Sequence, residues 1–96
     1  MYAVIFRSTI RSLDADYQRI AKRMRELAFT QYHCVDFVAT FEGDQEIAIS
    51  YWHSLEDIQA WRENPEHQAA MRLGQDHWYK HYKVDVVEVK RSYESK

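Results

Sequence analysis

Residues 2 to 10, YAVIFRSTI, are dense in β-branched and aromatic side chains without a helical period, and they predict a first strand. From Asp14 the pattern changes. Tyr17, Ile20, Ala21, Met24, Leu27 and Ala28 recur at three- and four-residue spacing, with Arg19, Lys22, Arg23 and Glu26 between them, which predicts an amphipathic helix capped by Asp14 or Ser12. Two strand-like runs follow, HCVDFVATF at 33 to 41 and EIAISYW at 46 to 52; they flank EGDQ, whose Gly43 and Asp44 suit a short hairpin loop. Ser54 with Asp57 three residues on resembles a capping box, opening a helix through LEDIQAWRE that stops where Asn64 precedes Pro65. Pro65 can start a further helical piece, expected to run to about Tyr82. KVDVVEV at 83 to 89 has the valines and alternation of a last strand, and RSYESK, residues 90 to 96, reads as a C-terminal tail, either a free end or a strand extension.

The expected order is β-α-β-β-α-β with the second helix broken at Asn64-Pro65. That is an α+β, ferredoxin-like arrangement in which two helices cover one face of a four-stranded antiparallel sheet. The strands predict what covers the other face. Tyr2, Val4 and Phe6 oppose Ala3 and Ile5 on the first strand, and Ile47, Ile49 and Tyr51 oppose Ala48 and Trp52 on the third, so both faces are partly apolar. An exposed apolar sheet face of this kind marks an interface, and we expect a homodimer packed sheet to sheet.

Length and charge narrow the partners. The 96 residues fit a single domain, 1 to 96. Thirteen Lys and Arg against fifteen Asp and Glu, interspersed, leave no basic footprint for nucleic acid or anionic lipid. Cys34 stands alone and cannot form an internal disulfide, and no apolar run is long enough for a signal peptide or membrane span, so a cytoplasmic location is expected.

The stretch HQAAMRLGQDHWYKHY, 67 to 82, concentrates the candidate chemistry. On a continuous helix, His67, Ala70, Met71, Gly74, Trp78 and His81 share one stripe with His77 at its edge. Such a stripe is either the core face of the helix or the wall of a pocket, and Gly74, costly inside a helix, suggests close packing or a cavity. His77 and His81 have the i, i+4 spacing of two metal ligands but no third ligand beside them, so no metal is expected. Cys34 reads as a small buried hydrophobe. Trp52, Trp61 and Trp78 fall near one helix-sheet junction, where indoles serve a solid core or a flat aromatic ligand equally well.

The residues Y-W-x-S-x-E-D-I-x-A-W-R-x-N-P-E-H-x-A-A from Tyr51, followed by G-x-x-x-W-Y and a valine-rich last strand, resemble the antibiotic biosynthesis monooxygenase (ABM) domain family. The likeness is close from Tyr51 to Val89 and extends to the rest through the order of elements. It implies a dimeric α+β barrel with a pocket in each subunit between sheet and helices. It also implies one of several activities: cofactor-independent oxidation of phenolic or anthrone substrates with O2, haem degradation, or chemistry on quinols and signalling molecules. The haem-degrading branch resembles this chain at Trp52. Its iron-ligating histidine, however, falls at Met71 and its strand-one asparagine near Arg7, and neither residue is present here.

A cofactor-independent oxygenase must bind an electron-rich phenol or enolate, favour its deprotonation and hold the developing oxyanion. From spacing and topology, His67 is the expected base, because histidine titrates near neutrality. Tyr51, Trp52 and Arg7 are the expected donors, and Trp61, Met71, Gly74 and Trp78 the expected substrate pocket. The leading expectation is therefore a cofactor-independent monooxygenase acting on a small aromatic, phenolic or quinone-like compound. The alternatives are a non-catalytic dimeric module binding a hydrophobic small molecule, and a haem-binding or haem-degrading protein.

Overall fold

The computed structural model describes residues 1–96. In chain order the elements are β1 (Tyr2–Ile10), α1 (Ala15–Gln31), β2 (Asp36–Glu42), β3 (Gln45–Trp52), α2 (Leu55–Glu63), α3 (Pro65–Leu73), one π-helical turn (Gly74–Trp78) and β4 (Tyr79–Glu88). The four strands form one antiparallel sheet in the order β2-β3-β1-β4. This is the ferredoxin-like α+β fold expected from the pattern.

The local signals act as the sequence suggests. Asp14, rather than Ser12, caps α1, its carboxylate accepting from the backbone N–H groups of Asp16 at 3.0 Å and Tyr17 at 3.1 Å. Ser54 caps α2 by accepting from the Asp57 N–H at 3.1 Å. Asn64 then caps α3, with Pro65 in its first turn. Gly43, at φ 60°, supplies the left-handed residue that the two-residue β2–β3 hairpin needs.

One boundary differs from expectation. The helix predicted to reach Tyr82 stops at Leu73, loosens into the π-turn and becomes strand at Tyr79. His81 therefore lies on β4 opposite Thr9 instead of on the helical stripe, and His77 and His81 are not a helical pair. Hydrophobic periodicity over sixteen residues cannot tell a helix followed by a strand from one long helix when aromatic residues favour both states. Pairing with β1 decides it.

Register places the side chains. Phe41, Glu46, Ser8 and Tyr82 form one cross-strand row, Ala39, Ala48, Phe6 and Val84 the next, and Phe37, Ser50, Val4 and Val86 the third. These rows face the helices. Val38, Ile47, Ile5, Ile49, Arg7 and Tyr51 lie on the opposite, uncovered face, where Val38 and Ile47 are exposed. The core is centred on Val4, Leu27, Ala28, Trp52, Ile58 and Trp61 beneath α1 and α2. Cys34 joins this core; its thiol donates to the Asp36 carbonyl at 3.2 Å, and burial pushes its titration up, away from a thiolate. An Arg23–Glu66 pair, bidentate at 2.8 and 3.0 Å, ties α1 to α3. No helix is long and apolar enough to cross a membrane.

Candidate functional site

Between the sheet and helices α1 and α3 lies a cavity of about 200 Å³. Its position follows from side-chain size. The middle row of the sheet presents Ala39 and Ala48 to helices that present Ala21 and Ala70, and all four line the space. Small residues on both layers leave a gap that larger neighbours bound at each end. Since β2 is an edge strand and Ala39 and Phe41 on it are exposed, the cavity opens along that edge.

One end is polar. Glu46, only 5% exposed, points from β3 toward the helices. One of its carboxylate oxygens accepts from Ser8 Oγ at 3.1 Å and the other from the Tyr17 hydroxyl. Each carboxylate oxygen thus has a hydroxyl partner. The titration of Tyr17 is pushed far up by burial and then by the neighbouring Glu46 charge; that of Tyr79 is pushed up by burial, by Glu46 and by Tyr17. Both phenols therefore stay protonated, and the Tyr17 proton is held by Glu46.

Trp78 roofs this end. Its ring meets Tyr17 edge-on at 5.1 Å, and its carbonyl accepts from the backbone N–H of Arg11 at 2.7 Å. The indole N–H, on a residue 4% exposed, has no partner. The π-turn makes this placement possible, since the extra backbone residue turns Trp78 inward before β4 begins. Gly74 opens that turn. A Cβ there would lie 2.8 Å from Tyr79 Cε2, so the space beside Gly74 is filled by the Tyr79 ring, and Gly74 itself does not line the cavity.

The other end is aromatic. Trp61 meets His67 at 4.4 Å between ring centroids and Phe37 at 6.3 Å, and its N–H is spent on the Met24 carbonyl at 3.1 Å. His67 is 8% exposed with Nδ1 unpartnered. Burial, then the Arg62 charge, pushes its pKa down from the usual 6.5 to about 4, so the ring is neutral at neutral pH. Arg25 and Arg62 also line this end; both are exposed, and the Arg25 guanidinium carbon sits 5.1 Å from the Phe37 ring centre.

Of the expected site residues, the cavity gathers His67, Trp61, Met71 and Trp78. The three expected donors fall elsewhere. Trp52 is fully buried in the core, tilted against Trp61 at 5.2 Å, and its N–H already binds Ser50 Oγ at 2.8 Å. Tyr51 and Arg7 project from the opposite face of the sheet, because strand alternation separates them from Ser50 and Phe6. In their place stand Glu46, Tyr17, Ser8 and Tyr79, which spacing alone did not single out. One signal for them exists in the chain: Glu46 occupies an inward position of a strand whose other inward residues are Ala48, Ser50 and Trp52, and an inward carboxylate in a short sheet needs partners. Haem does not fit this arrangement. Met71 stands where the haem-degrading branch carries its histidine, Arg7 is on the wrong face, and about 200 Å³ lies below the roughly 300–1,000 Å³ of pockets for drug-sized ligands.

No family model matches the chain. An uncharacterized protein of Bacillus subtilis, YqjZ, is 41% identical over 91 residues, covering 94% of this chain and 80% of the Bacillus one. Among solved structures, SnoaB from Streptomyces nogalater, described as a cofactor-independent oxygenase, superposes with a TM-score of 0.80 at 11% identity, over 98% of this chain and 97% of SnoaB. Rv0793 of Mycobacterium tuberculosis gives 0.81 at 14% identity over 97% and 98%. A structure described as an antibiotic biosynthesis monooxygenase gives 0.68 at 14% identity over 95% and 100%. The resemblance read from Tyr51 onward thus extends to the fold of these ABM structures.

Proposed function

We infer a function for a chain that belongs, at that identity and coverage, to the family of the Bacillus subtilis protein YqjZ. It is a small monooxygenase that oxidises a phenolic or quinone-like aromatic with O2. The observation that carries the reading is one largely apolar cavity, open along the β2 edge, that the buried carboxylate of Glu46 lines at one end and His67 at the other. A buried carboxylate at the end of an apolar space is where a ligand's hydroxyl finds a hydrogen-bond partner. The fold shared with SnoaB supports the oxygenase class.

The chemistry asks little of the protein. An electron-rich phenol gives one electron to O2, and its hydroxyl proton, made acidic as the electron leaves, passes to Glu46. Oxygen then bonds to an unsubstituted ring carbon ortho or para to the hydroxyl, Glu46 returns the proton to the peroxide, and loss of water, taking the hydrogen from that carbon, leaves an ortho- or para-quinone: phenol and O2 give quinone and H2O. Glu46 takes the base role expected of His67, because its carboxylate stands at the polar end of the cavity, where a ligand's hydroxyl finds an acceptor. Neutral His67 and Trp78 bound the substrate as cavity walls. Trp61 and Met71 are apolar walls.

The test is oxygen uptake by purified protein with phenols, naphthols and hydroquinones, followed by mass spectrometry for one 18O atom in the product. The reading requires incorporation, with Glu46→Gln reducing it at least a hundredfold. Incorporation lost in His67→Ala but kept in Glu46→Gln would return the base role to His67. Binding without incorporation for any compound would leave a hydrophobic-ligand module.

The same reading includes a homodimer through the uncovered sheet face. Exposed Val38, Ile47 and Val87 surround Ile5 and Ile49 there, bordered by Arg7, Lys83 and Asp85, and an uncovered sheet face with an apolar centre and a charged border fits an interface. Sedimentation at micromolar concentration should find a dimer, and Ile47→Lys should convert it to monomer; a wild-type protein that sediments only as monomer refutes the pairing.

A further inference from the structure

The cavity is polarised along its length, and nothing in the oxidation reading uses that polarity. Glu46 and Phe37 lie in rows four residues apart along antiparallel partners, so the two ends are separated by roughly 13 Å at about 3.3 Å per strand residue. One end holds the buried carboxylate with its hydroxyl donors. Toward the other lie two guanidinium groups, Arg25 over Phe37, close enough for its charge to reach Tyr17, and Arg62 beside His67, and neither is among the cations that pair with a carboxylate in the fold. Arg25 is on α1 and Arg62 on α2, and both line the cavity.

Each end selects a chemical group. A carboxylate with two of its acceptor positions filled by Ser8 and Tyr17 retains capacity for another donor, and it repels an anion. A hydroxyl is the group that fits. Unpaired guanidinium groups at an open edge favour a carboxylate or similar oxyanion, which they bind with charge-assisted hydrogen bonds. Between them, Trp61, Phe37 and Phe6 bound a slot whose floor and roof are alanines. Its volume, below that of pockets for drug-sized molecules, admits one or two fused rings and not a polycyclic ketide.

We propose that the ligand of this cavity is a hydroxyaryl acid of one or two rings, bound with its phenolic hydroxyl on Glu46 and its carboxylate on Arg25 and Arg62. This rests on the oxygenase reading only for what happens after binding. Orientation is what the polarity contributes: the hydroxyl is sent to the proton acceptor while the acid stays at the wet edge, where its charge needs least desolvation. The ring carbon to be oxidised then lies over the alanine row.

The test is binding under nitrogen, followed by tryptophan fluorescence, with three probes: 6-hydroxy-2-naphthoic acid, 2-naphthol and 2-naphthoic acid. The hydroxy acid should bind at least about tenfold tighter than either compound lacking one group, as one charge-assisted hydrogen bond gives. In the Arg25→Gln, Arg62→Gln double variant, both on exposed positions and checked for native circular dichroism, the hydroxy acid should fall to the affinity of 2-naphthol. In Glu46→Gln it should fall toward that of 2-naphthoic acid. Equal affinity of the wild-type protein for the hydroxy acid and 2-naphthol overturns the proposal, as does an acid preference that survives the arginine variant. The predicted binding order without oxygen uptake in air would sink the oxygenase reading and leave the ligand class standing; oxygen uptake with 2-naphthol as fast as with the acid would do the reverse.

Discussion

His67 gives the protein a pH dependence of known sign. In the folded chain its pKa lies at about 4, while in the unfolded chain it returns to the ordinary 6.5. Between those values the unfolded state binds a proton that the folded state does not, so stability falls as the pH drops from about 6.5 and levels off below about 4. The shift corresponds to at most about 3.5 kcal/mol, at roughly 1.4 kcal/mol per pKa unit. A protonated ring at the cavity wall can draw in water, which lowers the expected contribution to about 1 to 3 kcal/mol. With a urea dependence of roughly 1 to 3 kcal/mol per molar, the unfolding midpoint of the wild type should drop by about 1 M more than that of His67→Gln between pH 7 and pH 4. Taking the difference between the two proteins removes the shared acid sensitivity of the carboxylates. Parallel pH profiles for wild type and variant would show that the imidazole is not held neutral, and its burial against Trp61 would then not set its chemistry.

Removing the Tyr17 hydroxyl in Tyr17→Phe leaves Glu46 buried with one donor fewer, and should cost about 1 to 3 kcal/mol in urea unfolding; an unchanged midpoint would mean that water replaces the hydroxyl. Gly74→Ala sets two effects against each other. Alanine favours helical backbone by about 1 kcal/mol, but its Cβ would meet the Tyr79 ring at 2.8 Å, and overpacking of that kind costs about 1 to 3 kcal/mol. The net expectation is a lower melting temperature together with weaker naphthol binding, because the Tyr79 ring has to swing toward the cavity; a gain in stability with binding intact would refute the contact. Trp52→Phe should destabilise the protein through the cavity left in the core while binding of 2-naphthol stays within about twofold of wild type once both are folded. Loss of binding in the folded variant would return Trp52 to the site.

The order of elements was legible in the chain because each rests on a local rule. The strand at 2 to 10, the caps at Asp14 and Ser54, the hairpin at Gly43-Asp44 and the break at Asn64-Pro65 all follow from short-range sterics and hydrogen bonding. His67, Trp61, Met71 and Trp78 were legible as cavity residues, the first three because they stay within regular helices, where spacing maps directly onto a face. The end of α3 was not legible, since the residues from Gly74 onward suit helix and strand alike until β1 offers its edge.

Tertiary structure alone decided the rest. Tyr51 and Trp52 are neighbours in the chain and lie on opposite faces of the sheet, while Ser8, Tyr17, Glu46 and Tyr79 come from four elements and meet at one point. No spacing rule joins residues 38 positions apart; cross-strand register does, and it is set by which faces the helices cover. The chain by itself determined which side chains were available and which segments were helix or strand. The packing of two layers with alanines at their centre determined that a space remains, and which of those side chains surround it.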